Sequence, residues 1–182
     1  MFRSQGALEK TVVICVLAIA LFVPLNAAAQ NLIQDPGFEE GGADWTFVNG
    51  AGVVEAPPGN PLCGNASHTG DWAAFVNRLG QDGPYGSVTQ TVPTTVGQSY
   101  RVSFWVAGNC AGGGSLTVSF GNNQISWSDY GADVPYTEYG FLAKATSNST
   151  TFSFSGQNLT GTYFLDDVTV VAATNAPPIP TN

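Results

Sequence analysis

The sequence predicts an all-β protein, an antiparallel sandwich of two sheets packed face to face. Three observations lead there. β-Branched and aromatic residues alternate with Ser, Thr and Asn, Gly or Pro punctuates nearly every run, and the apolar period of a helix is missing. Eight to ten short strands in about 140 residues are what such a sandwich requires.

The expected strands, in order, are Leu32 to Gln34, Trp45 to Val48, Trp72 to Asn77, Gly86 to Val92, Ser99 to Ala107, Ser115 to Phe120, Asn123 to Trp127, Thr137 to Ala145, Thr150 to Ser155 and Tyr163 to Val171. The clearest is Tyr100-Arg-Val-Ser-Phe-Trp-Val106. Its period of two sends Tyr100, Val102, Phe104 and Val106 to the core, and Arg101, Ser103 and Trp105 to the other face. Leu116, Val118 and Phe120, with Phe152 and Phe154, repeat the alternation and should pack on that stripe. Loops are expected at Ala51 to Thr69, Asn109 to Gly114 and Ser128 to Pro135, where Pro, Gly and Asn concentrate.

The ends are of another kind. Residues 1–29 read as a secretory signal, with Arg3 and Lys10 around the start, an apolar run from Thr11 to Leu25 and the small residues Ala27-Ala28-Ala29 before the expected cut. A retained anchor is the alternative, but about 15 apolar residues fall short of the roughly 20 that span a bilayer. Residues 30–171 then form one domain, and 172–182 a Pro-rich, disordered tail. The domain and tail keep three cations against twelve acids, a formal charge of −9. Such a surface repels nucleic acid and anionic membranes, and a neutral glycan is compatible with it. Export to the cell exterior or surface, with no membrane insertion once the signal is gone, and a monomeric state complete the expectation.

Cys63 and Cys110 are the two cysteines left after removal of the signal, and in an oxidising compartment they are expected to pair. His68 lies near Cys63, but one Cys/His pair is a poor zinc set, so His68 is read as a solvated loop residue.

Three stretches carry a family resemblance: Asn31-Leu-Ile-Gln-Asp-Pro-Gly-Phe-Glu-Glu-Gly41 followed by Trp45, Val88-Thr-Gln-Thr-Val-Pro-Thr-Thr-Val-Gly-Gln-Ser-Tyr100, and Phe164-Leu-Asp-Asp-Val-Thr-Val170. Together they resemble carbohydrate-binding modules of the CenC type, families 4 and 9, within the galactose-binding-like jelly rolls. The resemblance implies non-catalytic binding of a polysaccharide or oligosaccharide. It also implies a structural calcium between Glu39 and Asp166, helped by backbone carbonyls near Thr69, Gly70 and Asp71. Alternation agrees in placing Asp166 on one face with Phe164, Val168 and Val170, at the edge of the core, where a carboxylate needs a cation or several donors. An aspartate satisfied by backbone N–H groups is the other possibility. Pro178-Ile179-Pro180-Thr181 resembles the start of an IPTL-type sorting signal, without the apolar helix and basic end that should follow.

A sugar ring stacks on an aromatic platform fringed by hydrogen-bonding groups. Trp105, with Arg101 and Ser103 beside it, is the expected platform, and Tyr85 and Tyr130 are further candidates on loops. Trp45 and Trp127 are expected in the core. Glycoside cleavage usually needs two carboxylates around one bond, and Asp166 and Asp167, as strand neighbours, should point to opposite faces. The rival to glycan binding is a structural or adhesive surface protein with the same fold and no sugar site.

Overall fold

The computed structural model describes residues 30–59, 66–76, 85–109, 114–128, 130–131, 133–158 and 160–173. The signal, residues 174–182 of the expected tail and both cysteines of the expected disulfide, Cys63 and Cys110, lie outside the described residues, and Ala172, expected in the tail, closes the last strand. Ten strands follow in chain order: β1 Thr46–Val48, β2 Ala51–Glu55, β3 Trp72–Val76, β4 Gly86–Pro93, β5 Ser99–Asn109, β6 Gly114–Phe120, β7 Asn123–Trp127, β8 Val134–Lys144, β9 Ser149–Asn158 and β10 Thr162–Ala172. They form two five-stranded sheets, β1-β4-β9-β6-β7 and β2-β3-β10-β5-β8, with every strand pair antiparallel. The expected sandwich is the observed fold.

The core lies where the alternation puts it. Tyr100, Val102, Phe104 and Val106 of β5 face Leu116, Val118 and Phe120 of β6 and Phe152 and Phe154 of β9, all of them buried. Trp45 is buried as well, its ring 4.9 Å from that of Phe38, and Trp127 packs half-buried against the same cluster. Full burial of one such aromatic or aliphatic side chain contributes roughly 1.5–3 kcal/mol, so these stripes dominate the stability.

Two expectations about elements change. Leu32 to Gln34 is a strap instead of a strand: Leu32 N–H donates to Val170 O (2.8 Å), Asn31 bonds Val168 O and Val170 N–H, and Gln34 exchanges two bonds with the buried Gln90 amide. The strap lies along β10 beyond Leu165, the last residue of β10 that pairs with β3. β2 falls inside the expected loop after residue 51. Its sequence, Ala-Gly-Val-Val-Glu, is short and half-buried, and its five residues pair with β3. Packing against a neighbour supplies what so short a segment lacks on its own.

Candidate functional site

The turn from residue 66 to residue 72 crosses the outer face of the second sheet, and three carboxylates hold it. Asp35 and Phe38 have left-handed backbones (φ 47° and 62°), which for Phe38 is costly. That conformation turns the Phe38 ring into the core. Next along the chain, the Glu39 carboxylate accepts the N–H groups of Asp71 and Trp72, at 3.0–3.1 Å. Gly70 (φ 59°) packs directly on that carboxylate, where no Cβ would fit.

The closing acids act on the same turn. Asp166 Oδ2 accepts the N–H groups of His68 (2.8 Å) and Thr69 (3.2 Å), and Oδ1 accepts the N–H of Asp167 (2.8 Å). Asp167 accepts the Thr69 hydroxyl (2.8 Å) and meets His68 Nδ1 at 2.6 Å. Both aspartates thus grip residues 68–69, against the expectation that they diverge. The cause is a β-bulge. Asp167 is left-handed (φ 47°), and pairing jumps from Asp166↔Trp105 to Thr169↔Ser103, so two residues of β10 oppose one of β5. The extra residue shifts the phase of the strand. Val168 and Val170 face the core, whereas Asp166 lies with Phe164 on the outer face, sealed by the turn above it.

Asp166 is fully buried. Burial, and then the charge of Asp167, push its carboxyl up to about 7, although the N–H groups of His68, Asp167 and Thr69 pull the other way. The Tyr136 hydroxyl donates to Ala66 O (3.0 Å). Burial and the charges of Asp166 and Asp167 drive its pKa upward, which keeps it a donor.

Trp105 does alternate to the outer face, half-buried, opposite Asp166 and Glu138. His68 lies on its ring, centroids 3.8 Å apart and planes 15° apart, with Tyr136 tilted at 5.3 Å from His68. His68 is therefore no solvated loop residue; 25% exposed, it fills the stacking position over Trp105. Nothing local in the sequence announces that contact, since the two residues are distant in the chain and meet only through the turn. Arg101 and Ser103 share the face of Trp105, each half-buried. Tyr85 and Tyr130 do not join them. Tyr85, 50% exposed, immediately precedes β4 of the other sheet. Tyr130 is a core residue, buried among Trp127, Tyr139 and Tyr163, which corrects its reading as a loop aromatic.

The first sheet presents a different outer face. Its strands carry polar groups in register: the hydroxyls of Thr46, Thr89, Ser153 and Ser119 with the Gln124 amide form one row across all five strands, and Ser87, Ser155, Thr117 and Ser126, behind the apolar Val48 of β1, form the next. Thr91 and Thr151 bond across β4 and β9 (2.8 Å), as do Thr117 and Ser126 across β6 and β7 (3.1 Å). No charged residue belongs to these rows, in a chain whose formal net charge is −8. Rows of hydroxyls and amides about 4.8 Å apart offer donors and acceptors to a polar, uncharged surface.

The carboxylates around Gly37 match calcium in donor type. A Cβ there would lie 3.5 Å from Asp167 Oδ1, 3.6 Å from Asp166 Oδ1 and 3.8 Å from Glu39 Cγ. Among the described residues no three His, Cys, Asp or Glu side chains group as metal ligands. Asp166 and Asp167 are poorly placed as a hydrolytic pair, because the first is sealed from solvent and both are committed to residues 68–69.

No protein-family model and no curated protein matches the chain. Solved structures do. The module TmCBM61, solved in complex with β-1,4-galactotriose, is 22% identical, with a TM-score of 0.52 over 80% of this chain and 100% of that one. The CBM22-1 xylan-binding domain from Paenibacillus barcinonensis Xyn10C is 13% identical, with a TM-score of 0.54 over 82% and 98%. The enzymatically active domain of bacteriophage CBA120 tailspike protein 4 is 12% identical, with a TM-score of 0.56, but the chain spans 21% of its length. At such identities the likeness is one of fold: this chain is a β-sandwich of the kind found in carbohydrate-binding modules.

Proposed function

We propose that the protein is an exported, non-catalytic carbohydrate-binding module whose ligand is a neutral polysaccharide or oligosaccharide. The observation that carries this reading is the outer face of the first sheet, where rows of hydroxyls and amides without a charge complement a polyhydroxylated, uncharged chain. The family 4 and 9 resemblance of the sequence and the shared sandwich support it. Trp105, Arg101 and Ser103 form a second candidate surface, but His68 already covers the Trp105 ring.

Affinity electrophoresis of the chain through gels containing neutral polysaccharides tests the proposal. Ser153→Arg, which plants a charge and bulk in the middle of the first face, should abolish retardation, and Trp105→Ala should leave it. Loss of roughly 1–3 kcal/mol of affinity in Trp105→Ala, with Ser153→Arg unaffected, would move the site to the second sheet. Absence of binding across the panel would favour the structural or adhesive reading. One observation favours that second reading: the four tryptophans form no exposed cluster, with Trp45 in the core and Trp72, Trp105 and Trp127 half-buried.

We further propose calcium as a structural ion at Glu39 and Asp166. It would supply charge neutralisation, while the chain's own carboxylates orient the turn at residues 66–72. Millimolar calcium should raise the melting temperature above that in EDTA, and Asp166→Asn should remove the difference. Coincident melting curves for the unaltered chain would leave the carboxylates to the backbone N–H groups alone.

A further inference from the structure

β8 is the long open edge of the second sheet. It runs eleven residues, and among the described residues its one strand partner is β5. An edge of that length offers unpaired N–H and C=O groups to another strand, and proteins usually shorten it, bulge it or load it with charge. The middle of β8, from Tyr139 to Ala143, carries no charge. Tyr139 and Phe141 are only partly buried against the core, and Leu142 is 46% exposed. Charge sits at two positions: Glu138 and Lys144, both exposed, and neither ion-paired among the described residues.

Glu138 and Lys144 pair with Trp105 and Ser99 of β5, which places both on the outer face. They stand three residues either side of Phe141. An antiparallel strand laid against a copy of itself about Phe141 therefore sets Glu138 opposite Lys144 at both ends, and Tyr139 opposite Ala143. Shifting the centre by two residues leaves both charges without a partner. Shifting it by one does the same, and a centre between two residues sets the outer face of one copy against the inner face of the other, which a two-fold axis normal to the sheet forbids.

We propose that the chain forms a symmetric homodimer by antiparallel pairing of β8 with β8 of a second copy, centred on Phe141. The occupant of the edge is a second copy because the charge pattern of the edge is complementary to itself. Charges placed to keep an edge unpaired would not neutralise one another on self-pairing. The dimer replaces the monomer expected from the sequence. It joins the two second sheets into one sheet of ten strands, with both Trp105 patches on the same side. It does not depend on glycan binding. Repulsion between two acidic copies opposes it, but is screened beyond about 10 Å at 0.1 M salt.

Sedimentation equilibrium of the signal-free chain in moderate salt, from micromolar to millimolar protein, tests the proposal. Twice the chain mass is expected at the upper end. Glu138→Lys and Lys144→Glu singly convert two attractive cross-strand pairs into two repulsive ones, and each should weaken association at least about tenfold. The double exchange, Glu138→Lys with Lys144→Glu, should restore it to within about threefold of the unaltered chain. Circular dichroism would verify that the variants are folded. A single monomeric species over the whole range overturns the proposal, and so does a dimer whose affinity is unmoved by Glu138→Lys.

Discussion

Acidification should stabilise this protein over a range where acidic proteins are usually indifferent or begin to weaken, and Asp166 is the reason. Its carboxyl is fully buried beside Asp167, and burial and that neighbouring charge push it up to about 7 in the folded chain, against an ordinary value of 3.8. For an acid whose pKa is raised by folding, the folded state binds the proton more tightly than the unfolded one. Stability then rises as pH falls through 7, and the gain is complete once pH drops below the unfolded value. About three pH units at 1.36 kcal/mol per unit give on the order of 4 kcal/mol between pH 8 and pH 4, an upper figure because other carboxylates lose their own bonds at the acid end. The assay is urea denaturation in EDTA from pH 8 to pH 5, for the unaltered chain and for Asp166→Asn. The substitution removes the titrating proton and leaves His68 in place, so the difference between the two curves belongs to Asp166. The unaltered chain should gain stability towards pH 5 and the variant should stay nearly flat. Parallel curves, or a loss of stability on acidification that both share, would refute the placement of a charged carboxylate beneath the 66–72 turn.

Cys63 and Cys110 should form a disulfide; closing about 48 residues contributes about 4 kcal/mol in the chain-entropy model, and two alkylatable thiols in the native protein would contradict it. Gly70→Ala should destabilise by about 1–3 kcal/mol in thermal melts, because the residue is left-handed and its Cβ displaces Glu39 from the N–H groups of Asp71 and Trp72. Gln90→Ala should cost about 1–3 kcal/mol and raise amide exchange at Gln34, since the buried amide is the reciprocal partner of the strap; unchanged exchange there would count against it.

Legibility followed the range of the signal. Nine of the ten strands stood out because a strand's two faces are written in neighbouring residues, and Phe104 or Phe152 needs only its own alternation to be assigned to the core. β2 was missed because five residues, four of them half-buried and without a strong alternation, are strand-forming only beside β3. In the candidate sites, the outward course of Arg101, Ser103 and Trp105 was legible for the same local reason. The cover of His68 over Trp105 was not, nor was the burial of Tyr130, because both depend on which turn folds back over which strand.

The sequence by itself determined the two-sheet sandwich, the core stripes and the acidic balance of the chain, since each is a property of composition or of nearest neighbours. Tertiary structure decided the rest. A single left-handed residue at Asp167 reset the phase of β10 and brought Asp166 and Asp167 onto the same turn. Only the pairing of β10 with β5 reveals that extra residue. The uncharged rows of the first sheet, likewise, exist only once β1, β4, β9, β6 and β7 lie in register. The Ser and Thr residues that read in the chain as ordinary solvent-facing positions became a surface when separate strands aligned them.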